Sequence, residues 1–297
     1  FTLPAAILIS VCCWTTTFVL SGVSVLRLLP GFVLCGLVGY LLVEMNNAFA
    51  LIRIRASAQT SLYVLLVSVC PALYSLYSGQ GAAACFLLAL IFLFRSYRGE
   101  NTSACLFHAF VFAGTGSLFV PQLMLLMPFL WIGAYNFRSL NAKSWIASIW
   151  GWVFPYWFLF GYAYLTDQME LFSNPFKQLA GFSRIGGWDD VSQLVTFAYV
   201  VILFVAGAVH AVALGDEDKL STRSYLSSLV LVGGCSVVLI GLQPALYAQV
   251  LPLLWVCTSI LGGRLFILAR GRLSNIFFVY SVIGAFLLFA FNLWTLL

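Results

Sequence analysis

The residues best suited to chemistry are gathered in one polar segment, positions 166–192, between two long apolar stretches. A carboxylate can act as a general base, and the planar guanidinium of arginine matches phosphate oxygens. If the protein acts on a lipid-linked substrate, we expect Asp167 or Asp189 to be the base and Arg184 to contact phosphate. Solvated charges of a connecting loop would explain the same residues. The segment holds four of the nine acids and two bases: Asp167, Glu170, Lys177, Arg184, Asp189 and Asp190.

Glu44 is the clearest ionisable residue inside an apolar stretch, and Asn47 follows it by about one helical turn. An ionisable group at membrane depth is costly, so it indicates function by default. The two residues could therefore line a polar cavity and bind a substrate or solute. Alternatively, Glu44 lies near enough to the end of its stretch to reach water or Arg53.

The two histidines, His108 and His210, each lie in an apolar stretch and could relay protons. No intramembrane acid accompanies either one, so neutral, hydrogen-bonded core histidines are the alternative. Gly207, Ala211 and Gly215 surround His210 at intervals of four residues. Such a stripe of small residues favours close helix packing.

The eight cysteines lie inside apolar stretches or at their ends, without a Cys-x-x-Cys pair. Cysteine behaves as a small hydrophobic residue in such surroundings. The motifs G-x-x-x-x-G-K-[ST], H-E-x-x-H and G-x-S-x-G are absent, so nothing supports ATP-driven transport, zinc proteolysis or serine hydrolysis. We expect no metal site and no cofactor.

Composition predicts that all these residues are positioned by membrane helices. Only 8% of the residues are charged and 63% are hydrophobic, whereas a soluble domain carries about 25% charged residues. In lipid, continuous helices satisfy every backbone polar group internally. The net charge of +5 is scattered between apolar stretches, so we expect no nucleic-acid partner.

We predict an all-α, single-domain bundle over residues 1–297, with about eleven membrane helices, some of them short hairpin helices. Several pairs are separated by turns that contain glycine or proline, which end helices. The predicted spans are 3–20, 29–50, 58–77, 81–94, 104–119, 120–135, 145–165, 193–214, 226–242, 245–262 and 274–296.

The stretch from Ala104 to Tyr135 could be a hairpin of two short helices or one long kinked helix. With a hairpin, eleven of the fourteen lysines and arginines fall on one side of the membrane and three on the other. A single helix would split them six to eight. Because cytoplasmic loops carry the excess of basic residues, we predict the hairpin, with the N-terminus cytoplasmic and the C-terminus external.

This orientation makes 166–192 an external loop. Its apolar residues are spaced among polar ones, a pattern typical of an amphipathic helix at the membrane interface. Asn174-Pro175 and Gly186-Gly187 are its predicted boundaries. A plain connecting loop is the alternative. Because no basic residue precedes the first apolar stretch, we also expect a short basic segment upstream of Phe1.

The segment from Arg138 to Asp167, with Gly151 and Pro155, resembles an uncharacterised family of multi-pass inner-membrane proteins of Bacteroidota. Asn46-Asn47 and the stretch from Gly241 through Pro252 to Trp294 are also similar to it. This resemblance implies a helical fold in the bacterial inner membrane and no particular activity.

The order of short helices over 58–135, with Cys70-Pro71 before an external turn and Pro128 near the end of a hairpin, is similar to the membrane core of C-type glycosyltransferases. That resemblance implies an enzyme that uses a polyprenyl-phosphate-linked sugar. Those enzymes usually place an acid in their first external loop, whereas residues 21–28 contain none. If this chain is such an enzyme, another segment would have to supply the catalytic acid.

We therefore expect an inner-membrane protein that serves cell-envelope assembly. The alternatives are a glycosyltransferase-like enzyme and a small-solute carrier. The expected partners are membrane lipids, a polyprenyl-linked substrate or other envelope proteins.

Overall fold

The computed structural model describes residues 2–21, 25–52, 57–181, 188, 190–213, 219–268 and 272–296. These residues form helices and no strand, which confirms the all-α prediction. The twelve described helices are α1 (Thr2–Ser21), α2 (Val25–Phe49), α3 (Ala58–Ser68), α4 (Tyr77–Arg95), α5 (Thr102–Phe119), α6 (Met127–Asn136), α7 (Ala142–Leu165), α8 (Met169–Ala180), α9 (Val191–Ala213), α10 (Leu220–Leu242), α11 (Tyr247–Leu268) and α12 (Arg272–Leu296).

Eight described helices are long and apolar enough to cross a membrane, namely α1, α2, α4, α5, α9, α10, α11 and α12. The chain is therefore a multi-pass membrane protein. The other three predicted spans contain α3, α6 and α7. The first two have only 11 and 10 residues. The 24-residue α7 is rich in tryptophan and tyrosine, which favour the membrane interface.

Three helix connections share one arrangement, in which a residue outside the helical region precedes a proline that opens a short 3-10 turn. The ring of proline disfavours helical geometry in the residue before it, so the incoming helix stops there. Two of the turns carry the same sequence, Pro-Ala-Leu followed by Tyr, at 71–74 and 244–247. The preceding residues and turns are Cys70 with Pro71–Leu73, Val120 with Pro121–Leu126, and Gln243 with Pro244–Leu246.

The segment between Ala104 and Tyr135 folds as a hairpin. The chain leaves helical geometry at Val120, where φ is −136° and ψ is 93°. Phe110 of α5 then stacks on Trp131 of α6, with ring centroids 5.5 Å apart. These residues lie 10 and 11 positions from Val120 on opposite sides, so their contact requires the chain to reverse, and the single long helix is excluded.

The centre of the bundle is formed by α4 and α11, and its edge by α1 and α12. In the apolar spans of α11 and α4, 83% and 67% of the residues are buried, against 28% in α1 and 22% in α12. Glycines allow the close central contacts: a Cβ atom on Gly79 of α4 would lie 2.8 Å from the Ala248 carbonyl oxygen of α11. The stripe predicted around His210 packs similarly, since Gly207 lies against Leu261, while Gly215 is outside the described residues.

Candidate functional site

A groove of about 300 Å³ lies between α1, α2 and α3 and is open on one side. We call it the lateral groove. Its walls are almost wholly apolar, and its outer residues Phe32 and Tyr40 are exposed. Residues of all three helices line it, among them Ile7 of α1, Phe32, Gly36, Tyr40 and Val43 of α2, and Val64 of α3.

The groove exists because α2 presents glycine where a larger side chain would fill the space. No heavy atom lies within 4 Å of the position of a Cβ on Gly36. One turn further, Gly39 lies close to α3, where the Thr60 hydroxyl donates a hydrogen bond to the Gly39 carbonyl at 3.4 Å. The helices therefore meet at Gly39 and separate at Gly36.

Aromatic side chains close the groove at the Phe32 end. Trp14 of α1 stacks on Tyr74, with ring centroids 4.0 Å apart. The Trp14 ring also meets Phe32 edge-on at 5.5 Å. This end of the α1–α2 pair is firmly packed, so the groove can be entered only from its open side or from its other end.

Glu44 and Asn47 lie at that other end. Gly36, Tyr40, Val43 and Asn47 follow one another at intervals of three or four residues, so they lie on one face of α2. Glu44 flanks this stripe, and both polar side chains are exposed. Arg53, the predicted alternative partner of Glu44, lies outside the described residues. The structure thus places both candidate residues where the apolar groove ends.

Asn46, which we did not single out from the sequence, has a structural role. Its side-chain oxygen accepts a hydrogen bond from the Ile52 backbone N–H at 2.9 Å, and its side chain is buried. The bond fixes the turn that follows α2, where Ala50 adopts a left-handed conformation with φ of 47°. Of the Asn46-Asn47 pair, only Asn47 is available to a ligand.

A second cavity, of about 200 Å³, lies on the opposite side of α1 and α3. It is lined by apolar residues of five helices, among them Leu62, Leu65, Tyr199, Phe266 and Phe278. The Tyr199 hydroxyl donates a hydrogen bond to the Ser281 carbonyl at 2.7 Å and so links α9 to α12. Among the described residues, no charged side chain lines this cavity.

The polar segment 166–192 is described only in part. Asp167 is exposed and has a left-handed backbone with φ of 57° directly after α7. Arg184 and Asp189 lie outside the described residues, so the structure does not bring the three candidates together. Within the segment, α8 packs Phe172 against Phe160 of α7, with ring centroids 5.3 Å apart. The predicted boundary at Asn174-Pro175 is wrong, since α8 begins at Met169 and contains Pro175. The predicted position of the helix at the membrane interface stays a prediction.

The described end of this segment caps α9 and packs onto the bundle. The Asp190 carboxylate accepts a hydrogen bond from the Ser192 backbone N–H at 2.8 Å. Trp188 stacks on Phe197 at 5.3 Å and meets Tyr247 of α11 edge-on at 6.1 Å. The segment therefore covers the beginning of α11.

Beneath Trp188, a buried polar network joins three distant parts of the chain. The Asn292 amide donates hydrogen bonds to the Val69 carbonyl at 2.8 Å and to the Thr196 hydroxyl at 3.0 Å. Nearby, the Cys70 sulfur lies 3.8 Å from the Tyr247 hydroxyl. Sequence reasoning missed this network, because its members are separated by as many as 223 positions. Its groups bond one another, which indicates a structural role.

Arg264 lies beyond the predicted span 245–262, which would make it a loop charge, and the structure corrects this. The structure extends α11 to Leu268 and buries Arg264 almost completely, at 1% exposure. Its Nη1 donates a hydrogen bond to the Leu51 carbonyl at 2.8 Å. Beside it, the Gln59 amide donates to the Leu42 carbonyl. These side chains join α11 and α3 to the end of α2.

The histidines lie on different helices. His108 is exposed on α5 and packs against Phe92 and Phe107, whereas His210 is half-buried on α9. Neither lines a described cavity. All eight cysteines are free thiols. Among the described residues, no three histidine, cysteine or acidic side chains are grouped closely enough to hold a metal ion.

No protein-family model matches the sequence, and no significant match was found among curated proteins or solved structures. The two resemblances drawn from the sequence stay predictions.

Proposed function

We propose that this chain is a multi-pass protein of the bacterial inner membrane that binds a lipid in the lateral groove and serves cell-envelope assembly. The observation that carries the proposal is the groove itself. It is an apolar cleft of about 300 Å³, open on one side, and it ends beside the exposed polar pair Glu44 and Asn47. Apolar walls with polar groups at one end match the build of a lipid.

The dimensions of the groove suit a hydrocarbon chain. From Phe32 to Val43, the first and last residues of α2 that line the groove, the helix rises about 17 Å at 1.5 Å per residue, which is about half of a hydrocarbon core of about 30 Å. An empty cleft forfeits the dispersion contacts of its lining atoms. A lipid chain restores those contacts, and it is the occupant that the surrounding bilayer supplies.

The proposed arrangement has about eleven membrane helices, with α3, α6 and α7 as spans and α8 on the external surface. It rests on the excess of basic residues in alternate loops. The N-terminus and the Glu44 end of the groove then lie at the cytoplasmic face. A reporter fused after Tyr135 should be cytoplasmic, and one fused at Asn174 should be external. Finding both reporters on one side would contradict the arrangement.

Filling the groove tests the lipid-binding proposal directly. Gly36→Leu places a side chain in the open space at Gly36, so a bound chain must leave. Gly241→Leu in α10 is the matched control, because nothing lies within 4 Å of a Cβ there either and Gly241 does not line a described cavity. We expect crosslinking of a phospholipid with a photoactivatable acyl chain to α1–α3 to fall severalfold in Gly36→Leu only. Equal crosslinking in Gly36→Leu and the native protein would refute lipid binding in the groove.

A second proposal is transfer of a polyprenyl-linked sugar at the external face. Trp188 packs on Tyr247 of α11 and so holds this end of the loop, including Asp190, against the helix bundle. This placement favours the second proposal. On this proposal, Asp190→Asn and Asp167→Asn should lower turnover of a polyprenyl-phosphate sugar without lowering expression. Unchanged turnover in both variants would remove Asp167 and Asp190 from consideration.

A further inference from the structure

Glu44 is the only acidic residue that lies within the eight apolar spans of the described chain. The other eight acids are outside those spans. An acid in a span requires a compensating group, because a charge at membrane depth is costly. The position of Glu44, exposed beside the end of the lateral groove, allows a ligand to provide that group.

The end of α2 strengthens the attraction for a cation. Glu44 lies five residues before Phe49, where α2 ends. The free carbonyls of a helix C-terminus carry partial negative charge and favour cations. The last turn of α2 contains no basic residue. Carboxylate and helix end therefore act in the same sense. Arg264 of α11 also reaches the segment that follows α2, but its guanidinium is buried and donates to the Leu51 carbonyl, whereas Glu44 is exposed.

Asn47 adds the complementary group one turn away. Its side-chain amide has two N–H donors and a carbonyl acceptor, and its side chain is exposed one turn beyond Val43, the last residue of α2 that lines the groove. An amide N–H can donate to a phosphate oxygen while the carboxylate of Glu44 accepts from an ammonium group. One headgroup that offers both groups, a few bonds apart, is phosphoethanolamine.

We infer that the Glu44–Asn47 end of the lateral groove binds the headgroup of an ethanolamine phospholipid. Glu44 accepts hydrogen bonds from the ammonium group, Asn47 donates to the phosphate, and one acyl chain lies in the groove along Val43, Tyr40 and Gly36. This inference rests on the proposed lipid binding and adds the class of lipid.

Headgroup contacts must supply the selectivity, because the chains cannot. Lipid tails are as apolar as leucine, so a chain that leaves the bilayer for an apolar groove gains no hydrophobic free energy. Two lipids with identical chains therefore differ in affinity only through Glu44, Asn47 and the helix end. A phosphatidylglycerol headgroup has no ammonium and would bring a net negative charge to Glu44.

The test compares phosphatidylethanolamine and phosphatidylglycerol with identical acyl chains. The purified protein in detergent is titrated with each lipid, and bound lipid is counted by native mass spectrometry. We expect the native protein to prefer phosphatidylethanolamine by about threefold, the size of one exposed ion pair. Glu44→Gln should abolish the preference and Glu44→Lys should reverse it. Glu100→Gln, which removes an exposed acid between α4 and α5, is the matched control and should keep it.

Two outcomes separate this inference from the proposed function. If Gly36→Leu weakens both lipids while Glu44→Gln leaves their ratio unchanged, the groove binds lipid and the headgroup inference is wrong. If Gly36→Leu changes neither lipid, the proposed function fails and the inference fails with it. Equal affinity of the native protein for the two lipids would also overturn the inference.

Discussion

Two glycine contacts in neighbouring parts of the bundle have opposite surroundings. At Gly263 of α11, a Cβ atom would lie 2.8 Å from the Cα of Gln59 in α3, so the backbones are in direct contact. At Gly36 of α2, no atom lies within 4 Å of the same position, and the lateral groove opens there. The first glycine joins helices, and the second keeps a space between them.

The difference shows what holds helices together in this protein. Helices in lipid gain little from burying apolar surface, so they associate through close backbone packing and hydrogen bonds. Gln59 of α3 shows both kinds of contact. Its backbone lies against Gly263 of α11, and its side-chain amide donates a hydrogen bond to the Leu42 carbonyl of α2. Around Gly36, both kinds of contact are missing from the described structure, and a space for a ligand results.

Substitution of the two glycines should produce the largest difference in the free energy of unfolding. Gly263→Leu must push α3 away from α11, because the obstructing atoms belong to the backbone. We expect a loss of about 3 kcal/mol or more in the free energy of unfolding, at the upper end of overpacking effects. Gly36→Leu is the control and should change it by less than about 0.5 kcal/mol. Denaturant titration in mixed micelles measures both, and similar losses would show that the groove is not open.

Removal of one polar contact should have an intermediate effect. Asn292→Leu deletes the bonds to Val69 and Thr196 and leaves two buried polar groups without that partner. We expect a loss of about 1 kcal/mol, typical of interhelical hydrogen bonds in membranes. Asn275→Leu, at an exposed position of the same helix, is the control. Denaturant titration in mixed micelles again measures the stabilities. Equal stabilities of Asn292→Leu and Asn275→Leu would mean that the network does not hold α12.

The smallest effect is expected outside the bundle, at Asp167. Its φ of 57° is unfavourable for a residue with a Cβ, so Asp167→Gly should raise the free energy of unfolding by no more than about 1 kcal/mol. Glu170→Gly, in the first turn of α8, should lower it by about 1 kcal/mol, because glycine weakens a helix. Thermal unfolding in detergent compares them. A loss of stability in Asp167→Gly would reveal a contact made by its carboxylate.

The sequence was sufficient to predict where the helices run. Apolar length and proline turns mark most elements within a few residues, and the basic residues on either side of 104–135 correctly favoured a hairpin there. These signals are local, so one sequence contains them. The C-terminal end of α11 was predicted less well, because Arg264 resembles a loop charge until its bond to Leu51 is known.

The sequence could not predict which polar residues are buried and hydrogen-bonded and which are exposed. Asn46 and Asn47 are neighbours of one type, yet only the structure shows that the first is buried and bonded to Ile52. Gly36 and Gly263 are likewise indistinguishable without their neighbours. The network of Val69, Thr196 and Asn292 depends on contacts between remote segments. Such differences arise from tertiary packing, which local patterns do not contain.

The central position of α11 has a consequence for biogenesis. Ribosomes deliver the chain from its N-terminus, so α3 and α4 are synthesised long before residue 247. Until then, Gln59 and Gly79 lack the helix against which they pack, and the two Pro-Ala-Leu-Tyr turns cannot meet through Cys70 and Tyr247. The α3–α4 segment therefore remains partly assembled and accessible to insertases and membrane proteases. This accessibility ends when α11 packs against it.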